Sequence, residues 1–267
     1  MAGELLMTCM NMDCNVIFRG YVINASCELI PKIRISPFSI RQMYFAYPEL
    51  KEREAGELRE YLKKNFNSYA FLPKGRTAIS VALDHYDLKK DDVVTILTTS
   101  GNFYISSCVT KEIEKKCKWS REVTDSTKVI FINHEFGYAY TEIEKIRKYN
   151  LPVIEDCAHT FFTKSPYIGE VGDFVIYSLP KAFPMQLGAI LSSRKFDLGK
   201  VKVSWELGNY IERRLFSHIK RSEEIKQKRL VNYKLLAERL SFLGISPFFD
   251  YKLGTIPGVF LFRWLEN

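Results

Sequence analysis

Short runs of Val, Ile, Leu and Phe alternate along this chain with stretches whose apolar positions recur every three or four residues. The runs are Val93-Val-Thr-Ile-Leu-Thr98, Lys128-Val-Ile-Phe-Ile-Asn133, Leu151-Pro-Val-Ile-Glu-Asp156, Phe174-Val-Ile-Tyr-Ser178 and Leu187-Gly-Ala-Ile-Leu-Ser192. Near-continuous β-branched runs of this kind mark strands buried on both faces. Helical spacing appears between them. Residues 49–65 place Leu50, Leu58, Tyr61 and Leu62 on one side. Residues 77–85 turn Ile79, Ala82 and Leu83 inward, 103–116 form a further helix, and 141–149 align Ile143 with Ile146. Strand–helix alternation predicts an α/β fold: one mostly parallel sheet sandwiched by helices.

The flanks read differently. Residues 1–50 hold short apolar runs interrupted by Pro31 and Pro37, and predict an N-terminal arm or irregular strands. Residues 205–243 predict a long helix, broken or bent, with Leu230, Tyr233, Leu236 and Leu240 as its apolar stripe. One strand, Val259-Phe-Leu-Phe-Arg263, is predicted near the end. The expected division is 1–50, 51–204 and 205–267.

Composition narrows the function classes. The 267 residues are 46% hydrophobic and 26% charged, enough to bury a full core. No apolar run reaches the roughly 18–20 residues that span a bilayer, and the first residues lack a basic leader segment. Net charge is +8. The basic residues are spread, however. Their densest stretch, Glu212 to Arg229, is interleaved with Glu223 and Glu224 and reads as a solvated helix face. No nucleic-acid motif accompanies the charge, so neither a nucleic-acid nor a membrane partner is expected. The six cysteines, at 9, 14, 27, 108, 117 and 157, form no C-x-x-C pair and have no histidine at zinc-ligand spacing. No metal site is expected, and free thiols suit a reducing cytoplasm.

Candidate chemistry lies at strand ends. Asp156 closes one strand, and Lys181 follows the next, one βαβ unit later. Parallel neighbouring strands would bring both to the same carboxyl edge, where open α/β sheets bind ligands. A carboxylate and an amine fixed there suit pyridoxal phosphate: the amine bonds to the aldehyde and the acid keeps the pyridine nitrogen protonated. At 4 Å and an effective dielectric near 20, that acid–pyridinium attraction is about 4 kcal/mol. Glu155 would face the opposite side of its strand. Lys181 sits in an apolar run, so desolvation is expected to make it nucleophilic. Gly75-Arg76-Thr77-Ala78 opens a helix, whose unpaired N–H groups suit a phosphate, although a plain N-cap at Thr77 is the alternative. Ser178 precedes Lys181 by three residues and is a second phosphate candidate. His159 is placed to hydrogen-bond the cofactor's phenolic oxygen. Phe103 or Tyr104 is placed to stack on the ring. His134, at another strand end, is a substrate-pocket candidate.

In order, Gly75-Arg-Thr-Ala78, an aromatic after the first strand, Ile154-Glu-Asp-Cys-Ala-His159 and Tyr177-Ser-Leu-Pro-Lys181 resemble the DegT/DnrJ/StrS sugar aminotransferases. Gly172-Asp-Phe-Val-Ile-Tyr-Ser178 resembles the family's Gly-Asp-x-x-x-Phe-Ser strand. The resemblance covers roughly residues 65–240. It implies the fold type I architecture, with a large domain over 51–204 and a partial C-terminal small domain over 205–267. It implies pyridoxal 5'-phosphate, with Lys181 as Schiff-base lysine and proton shuttle, Asp156 on the pyridine nitrogen and His159 on the phenolic oxygen. Gly75, Arg76, Thr77, Ala78 and Ser178 would hold the phosphate, and Phe103 would stack on the ring. Asn209 would reach the phosphate of a neighbouring subunit in a homodimer. The implied reaction transfers an amino group, from glutamate, to a keto-sugar carried on a nucleotide, in surface polysaccharide or amino-sugar biosynthesis. Three departures stand out. The segment from Lys116 to Lys128 is short where the family has an extra strand, Gln186-Leu-Gly-Ala189 replaces Gly-Glu-Gly-Gly, and the sequence ends where much of the small domain would lie. The last departure motivates a second reading, a non-catalytic regulatory or binding descendant. Sugar dehydration is a third, opposed by the presence of Lys181.

Overall fold

A computed structural model describes residues 47–102 and 105–263, together with 38–39, 42–43 and three strands of the first 46 residues. The chain divides into two units, 1–46 and 47–267. In the first, β1 (Cys14–Phe18), β2 (Tyr21–Ala25) and β3 (Pro31–Arg34) form an antiparallel sheet in chain order, with Cys14 opposite Ala25 and Val22 opposite Arg34.

The second unit is built on seven strands: β4 (Ser68–Leu72), β5 (Val93–Thr98), β6 (Lys118–Ser120), β7 (Thr127–Asn133), β8 (Val153–Asp156), β9 (Phe174–Ser178) and β10 (Ala189–Ser193). Their order across the sheet is β4-β10-β9-β8-β7-β5-β6. The pairs β5–β6, β5–β7, β7–β8 and β8–β9 are parallel, whereas β10 runs antiparallel to both neighbours. The direction of β10 sets the site. Its first residue, Ala189, lies opposite both Leu72 and Ser178, so the ends of β4 and β9 share one edge.

Side chains alternate between the two faces, as near-continuous apolar strands require. Val129 and Phe131 join one core with Ala78, Ile79, Ala82 and Leu83 of α2 (Gly75–Asp84) and Val109 and Ile113 of α3 (Ser107–Glu114). Ile130 and Ile132 join the opposite face, under Ile143 and Ile146 of α4 (Ile143–Tyr149). Further along that face, Ile190 packs with Leu58 and Leu62 of α1 (Glu52–Asn65), Leu179 of α5 (Leu179–Ala182), and Ile211 and Leu215 of α6 (Trp205–Ile219). Each fully buried Ile, Leu or Phe contributes about 1.5–3 kcal/mol by leaving water.

Some expectations are corrected. Helix α6 packs into the same core as α1. The predicted long helix is two, α6 and α7 (Ser222–Ser241). Tyr233 of α7 is buried but Leu236 is exposed, so the inward stripe is narrower than its sequence suggests. The segment after Lys116 does carry a strand, the three-residue β6. Residues 259–263 form no strand, only an isolated bridge between Phe262 and Pro247. Among the described residues no helix is long and apolar enough to cross a membrane.

Candidate active site

β8 ends in two acids whose side chains find different surroundings, as strand alternation demands. Glu155 is fully buried. Its Oε1 accepts from Val171 N (2.9 Å) and Gly172 N (2.6 Å), and its Oε2 from Gly169 N (2.6 Å) and His134 Nε2 (2.9 Å). Burial pushes its carboxyl up, but His134 and these backbone donors outweigh it and hold the group below the usual carboxylate range. Tyr140 N donates to His134 Nδ1 at 2.9 Å, which fixes the tautomer with the proton on Nε2. Cys157 lies within ligand distance of this pair. Both imidazole nitrogens and both carboxylate oxygens are already engaged, and burial pushes the Cys157 thiol well up. The His134–Glu155 pair is therefore a hydrogen-bonded node that ties β8 to the 169–172 loop, with Cys157 beside it. His134, expected in a substrate pocket, is at 0% exposure inside this node.

Asp156 is only 8% exposed, and among the described residues its carboxylate has one hydrogen bond, from Ala158 N to Oδ1 at 3.0 Å. Burial pushes its carboxyl up; the Ala158 N–H and the nearby charge of Lys181 pull the other way. A buried carboxylate this sparsely bonded has acceptor capacity left for a ligand. His159 is half-buried, lies 5.4 Å from Phe136 ring to ring, and has no hydrogen bond among the described residues. Burial, then the charges of Lys181 and Arg229, push it down to about 4, so it is neutral at pH 7.

Lys181 belongs to α5, immediately past β9. The expectation of a desolvated lysine is not met: Lys181 is exposed. The apolar run around it is real, but Leu179, Ala182 and Phe183 take the buried positions and leave the lysine on the open side of the turn. Its charge nonetheless reaches Asp156, His159 and Cys108. The fold thus brings Lys181, Asp156 and His159 to one edge of the sheet.

The glycine turn stands beside them. Gly188 N donates to Pro73 O (2.7 Å) and Leu179 N to Gly188 O (3.0 Å), tying the β4–α2 loop to the start of α5. Gly188 has φ +121°, and a Cβ there would come within 3.2 Å of Leu179, so only glycine suits. Gly75 opens α2 without a side-chain cap, and a Cβ on it would lie 3.6 Å from the Ser178 Cβ and 3.8 Å from its Oγ. Free helix-start N–H groups and the Ser178 hydroxyl therefore share one small space. Thr77 is the third residue of α2 and not its N-cap. The Arg76 side chain turns away, donating Nη2 to Cys108 Sγ at 2.9 Å. Phe103 and Tyr104 lie outside the described residues. Asn209 is not brought to this space. It lines a cleft of about 410 Å³ beside β4, with Tyr69, Trp205 and Glu212.

Two residues of the neighbourhood escaped sequence reasoning. Arg229 had been placed on a solvated face, yet it is half-buried and donates Nη2 to Lys181 O at 2.6 Å. Its signal was position: Ile225 and Tyr233, four residues to either side, both pack inward. Cys108 was read only as a free thiol. Burial pushes that thiol up, but Arg76, Ser106 and Lys181 outweigh it and hold it below its ordinary value.

A mostly parallel α/β sheet with an acid, a histidine, a lysine and a glycine-led helix start at one edge has the layout of a pyridoxal-phosphate enzyme. Residues 61–233 match the family described as "Putative PLP-dependent aminotransferase", and the chain belongs to that family of pyridoxal-phosphate-dependent aminotransferases. No curated protein sequence matches it. Solved structures of the same fold include "Putative sugar aminotransferase Spr1654" from Streptococcus pneumoniae, with TM-score 0.62 and 13% identity over 82% of this chain and 73% of that one. A DegT/DnrJ/EryC1/StrS aminotransferase from Brucella abortus aligns with TM-score 0.58 and 15% identity over 79% and 69%. The aminotransferase TlmJ from Streptoalloteichus hindustanus gives 0.58 and 14% over 81% and 77%.

Proposed function

We propose that this aminotransferase passes an amino group from glutamate to a keto-sugar carried on a nucleotide, in the making of amino sugars for polysaccharides, and that it works as a homodimer in the cytoplasm. The observation that carries the site assignment is the meeting of Lys181, Asp156 and His159 at one sheet edge, beside the Gly75–Ser178 space. Two details favour the cofactor's fit: the spare acceptor capacity of buried Asp156, and a cradle at Gly75 that a side chain would fill. The sugar reading draws on the resemblance of the Ile154–His159 and Tyr177–Lys181 segments to sugar aminotransferases.

Bound pyridoxal phosphate supplies an electron sink for the carbon that carries the amino group. In this reading Asp156 keeps the proton on the pyridine nitrogen. Neutral His159 shares a hydrogen bond with the phenolic oxygen. The backbone of Gly75, Arg76, Thr77 and Ala78, with the hydroxyls of Thr77 and Ser178, takes the phosphate at the α2 start, where the helix dipole favours negative charge. By the family resemblance, Phe103 would be the residue that stacks on the ring. Lys181 Nζ would be the amine that holds the cofactor covalently and the base that moves the proton at the donor carbon. Its exposed position leaves the amine room to swing between those roles. Asn209 reaches the phosphate held by a second copy.

Borohydride reduction followed by peptide mapping tests the attachment. The pyridoxyl group should appear on the peptide bearing Lys181 and be absent from Lys181→Ala; a label on another lysine rejects the assignment. Turnover with glutamate and a panel of keto-sugar nucleotides tests the substrate class.

A further inference from the structure

Residues 254–258 belong to no helix or strand, yet Thr255, Ile256 and Pro257 are buried. They cross two turns as a strap. Lys164 N donates to Gly254 O (2.9 Å), Ile256 N to Thr163 Oγ1 (3.1 Å) and Gly258 N to Phe136 O (2.8 Å). Thr163 Oγ1 also donates to Gly137 O at 2.7 Å. One hydroxyl thus accepts from the strap and donates to the turn after β7, using both of its capacities. A Cβ on Gly137 would run into the Ile256 carbonyl, so the two backbones touch. Phe136 has φ +54°, a conformation that a bulky residue keeps only where its neighbours fix it.

The strap ends against His159. A Cβ on Gly258 would lie 3.7 Å from His159 Nδ1, and the Phe136 ring is 5.4 Å from the imidazole. His159 makes no hydrogen bond among the described residues, so packing sets the angle of its ring. The charges acting on that ring are Lys181 of α5 and Arg229 of α7. Glu135, next to Phe136, is engaged by Ser100 N at 2.6 Å, and residues 254–258 carry no titratable side chain.

We propose that the 254–258 strap is the positioning element of His159, and that Thr163 is the residue that fastens it, so that the imidazole is held ready for the cofactor's phenolic oxygen. The proposal rests on the reading of His159 given above. Thr163 acts through the strap and touches no reacting atom.

Cofactor-free wild type, Thr163→Val and Thr163→Ser would be compared by NMR of labelled histidines, with His159→Gln assigning the signal. Valine keeps the shape and loses both bonds; serine keeps both. Burial is the main cause of the low His159 value, about 4. In Thr163→Val, water admitted beside the ring should raise its midpoint by about one pH unit. Amide exchange at Ile256 and Gly258 should quicken at least tenfold. Thr163→Ser should restore both, and His218 should not move. Faster amides with an unmoved His159, an equal shift at His218, or amides as slow as in wild type each overturn the proposal. Should Thr163→Val fail to fold, Gly258→Val decides alone: it puts methyls against Nδ1 with the fastening intact, and an unchanged His159 midpoint refutes the contact. In the holoenzyme, Thr163→Val should also shift the pH midpoint of the cofactor's visible absorbance, and Thr163→Ser should return it. An unmoved absorbance midpoint, with His159 moved in the free protein, rejects the link to the cofactor and with it the proposal. A wild-type protein that takes up no pyridoxal phosphate sinks the aminotransferase reading, and the histidine titrations still decide whether the strap holds the ring.

Discussion

Glu155→Gln keeps the shape of the side chain and exchanges one acceptor oxygen for a group that only donates. The native carboxylate takes two donors on each oxygen: Val171 N and Gly172 N on Oε1, Gly169 N and His134 Nε2 on Oε2. Each side includes a backbone N–H, so neither orientation of the amide escapes a donor-against-donor contact. His134 cannot help by moving its proton, because its Nδ1 already accepts from Tyr140 N. Two buried donors therefore lose their acceptor in either orientation, at about 1–3 kcal/mol each, for a total of about 2–6 kcal/mol. Domains of ordinary stability hold about 5–15 kcal/mol, so the variant should fold yet unfold much earlier. Urea titration followed by circular dichroism measures this. The midpoint should fall with the slope unchanged. A loss below about 1 kcal/mol would refute the claim that the node is closed and fully bonded.

Acid should destabilise the protein before its carboxylates titrate. His159 and His218 are both pushed down to about 4, chiefly by burial. The unfolded chain takes up their protons near the ordinary value of about 6.5, so stability should decline as pH drops from about 6.5 toward 4, with Glu155 adding to the loss below the ordinary carboxylate value. Unfolding midpoints that stay flat between pH 7 and 5 would contradict this. Asp156→Asn removes a buried charge with one hydrogen bond, and should leave the cofactor-free protein as stable or more so while weakening pyridoxal-phosphate retention at least tenfold; melting and absorbance scans read the two effects separately.

Much of the fold was legible because the interior strands are written in β-branched residues. β5, β7, β8, β9 and β10 were located within two residues from that signal alone. β4 was not, since Ser-Tyr-Ala-Phe-Leu is a short mixed run whose sheet partner, β10, lies far along the sequence. Nor was the antiparallel sense of β10 visible, because direction is decided by the length of the connection and not by the strand's own residues. At the site, strand alternation foretold that Asp156 and Glu155 find different surroundings. The burial of Lys181 was misjudged because an apolar run says that the segment is packed, not which of its members faces out. His134 was misjudged because a histidine at a strand end looks the same whether it meets a ligand or, as here, Glu155.

The return of β10 against β9 has a mechanical consequence. The chain leaves the sheet at Ser178, makes the corner that bears Lys181, and re-enters at Ala189 directly alongside. Both legs of that corner are clamped into the middle of the slab, unlike the long excursions that join the parallel strands. The amine consequently pivots on a short, braced bracket. Outlying helices could drift or be remodelled over evolutionary time without dragging it off target, whereas a single inserted residue between the two legs would throw its aim.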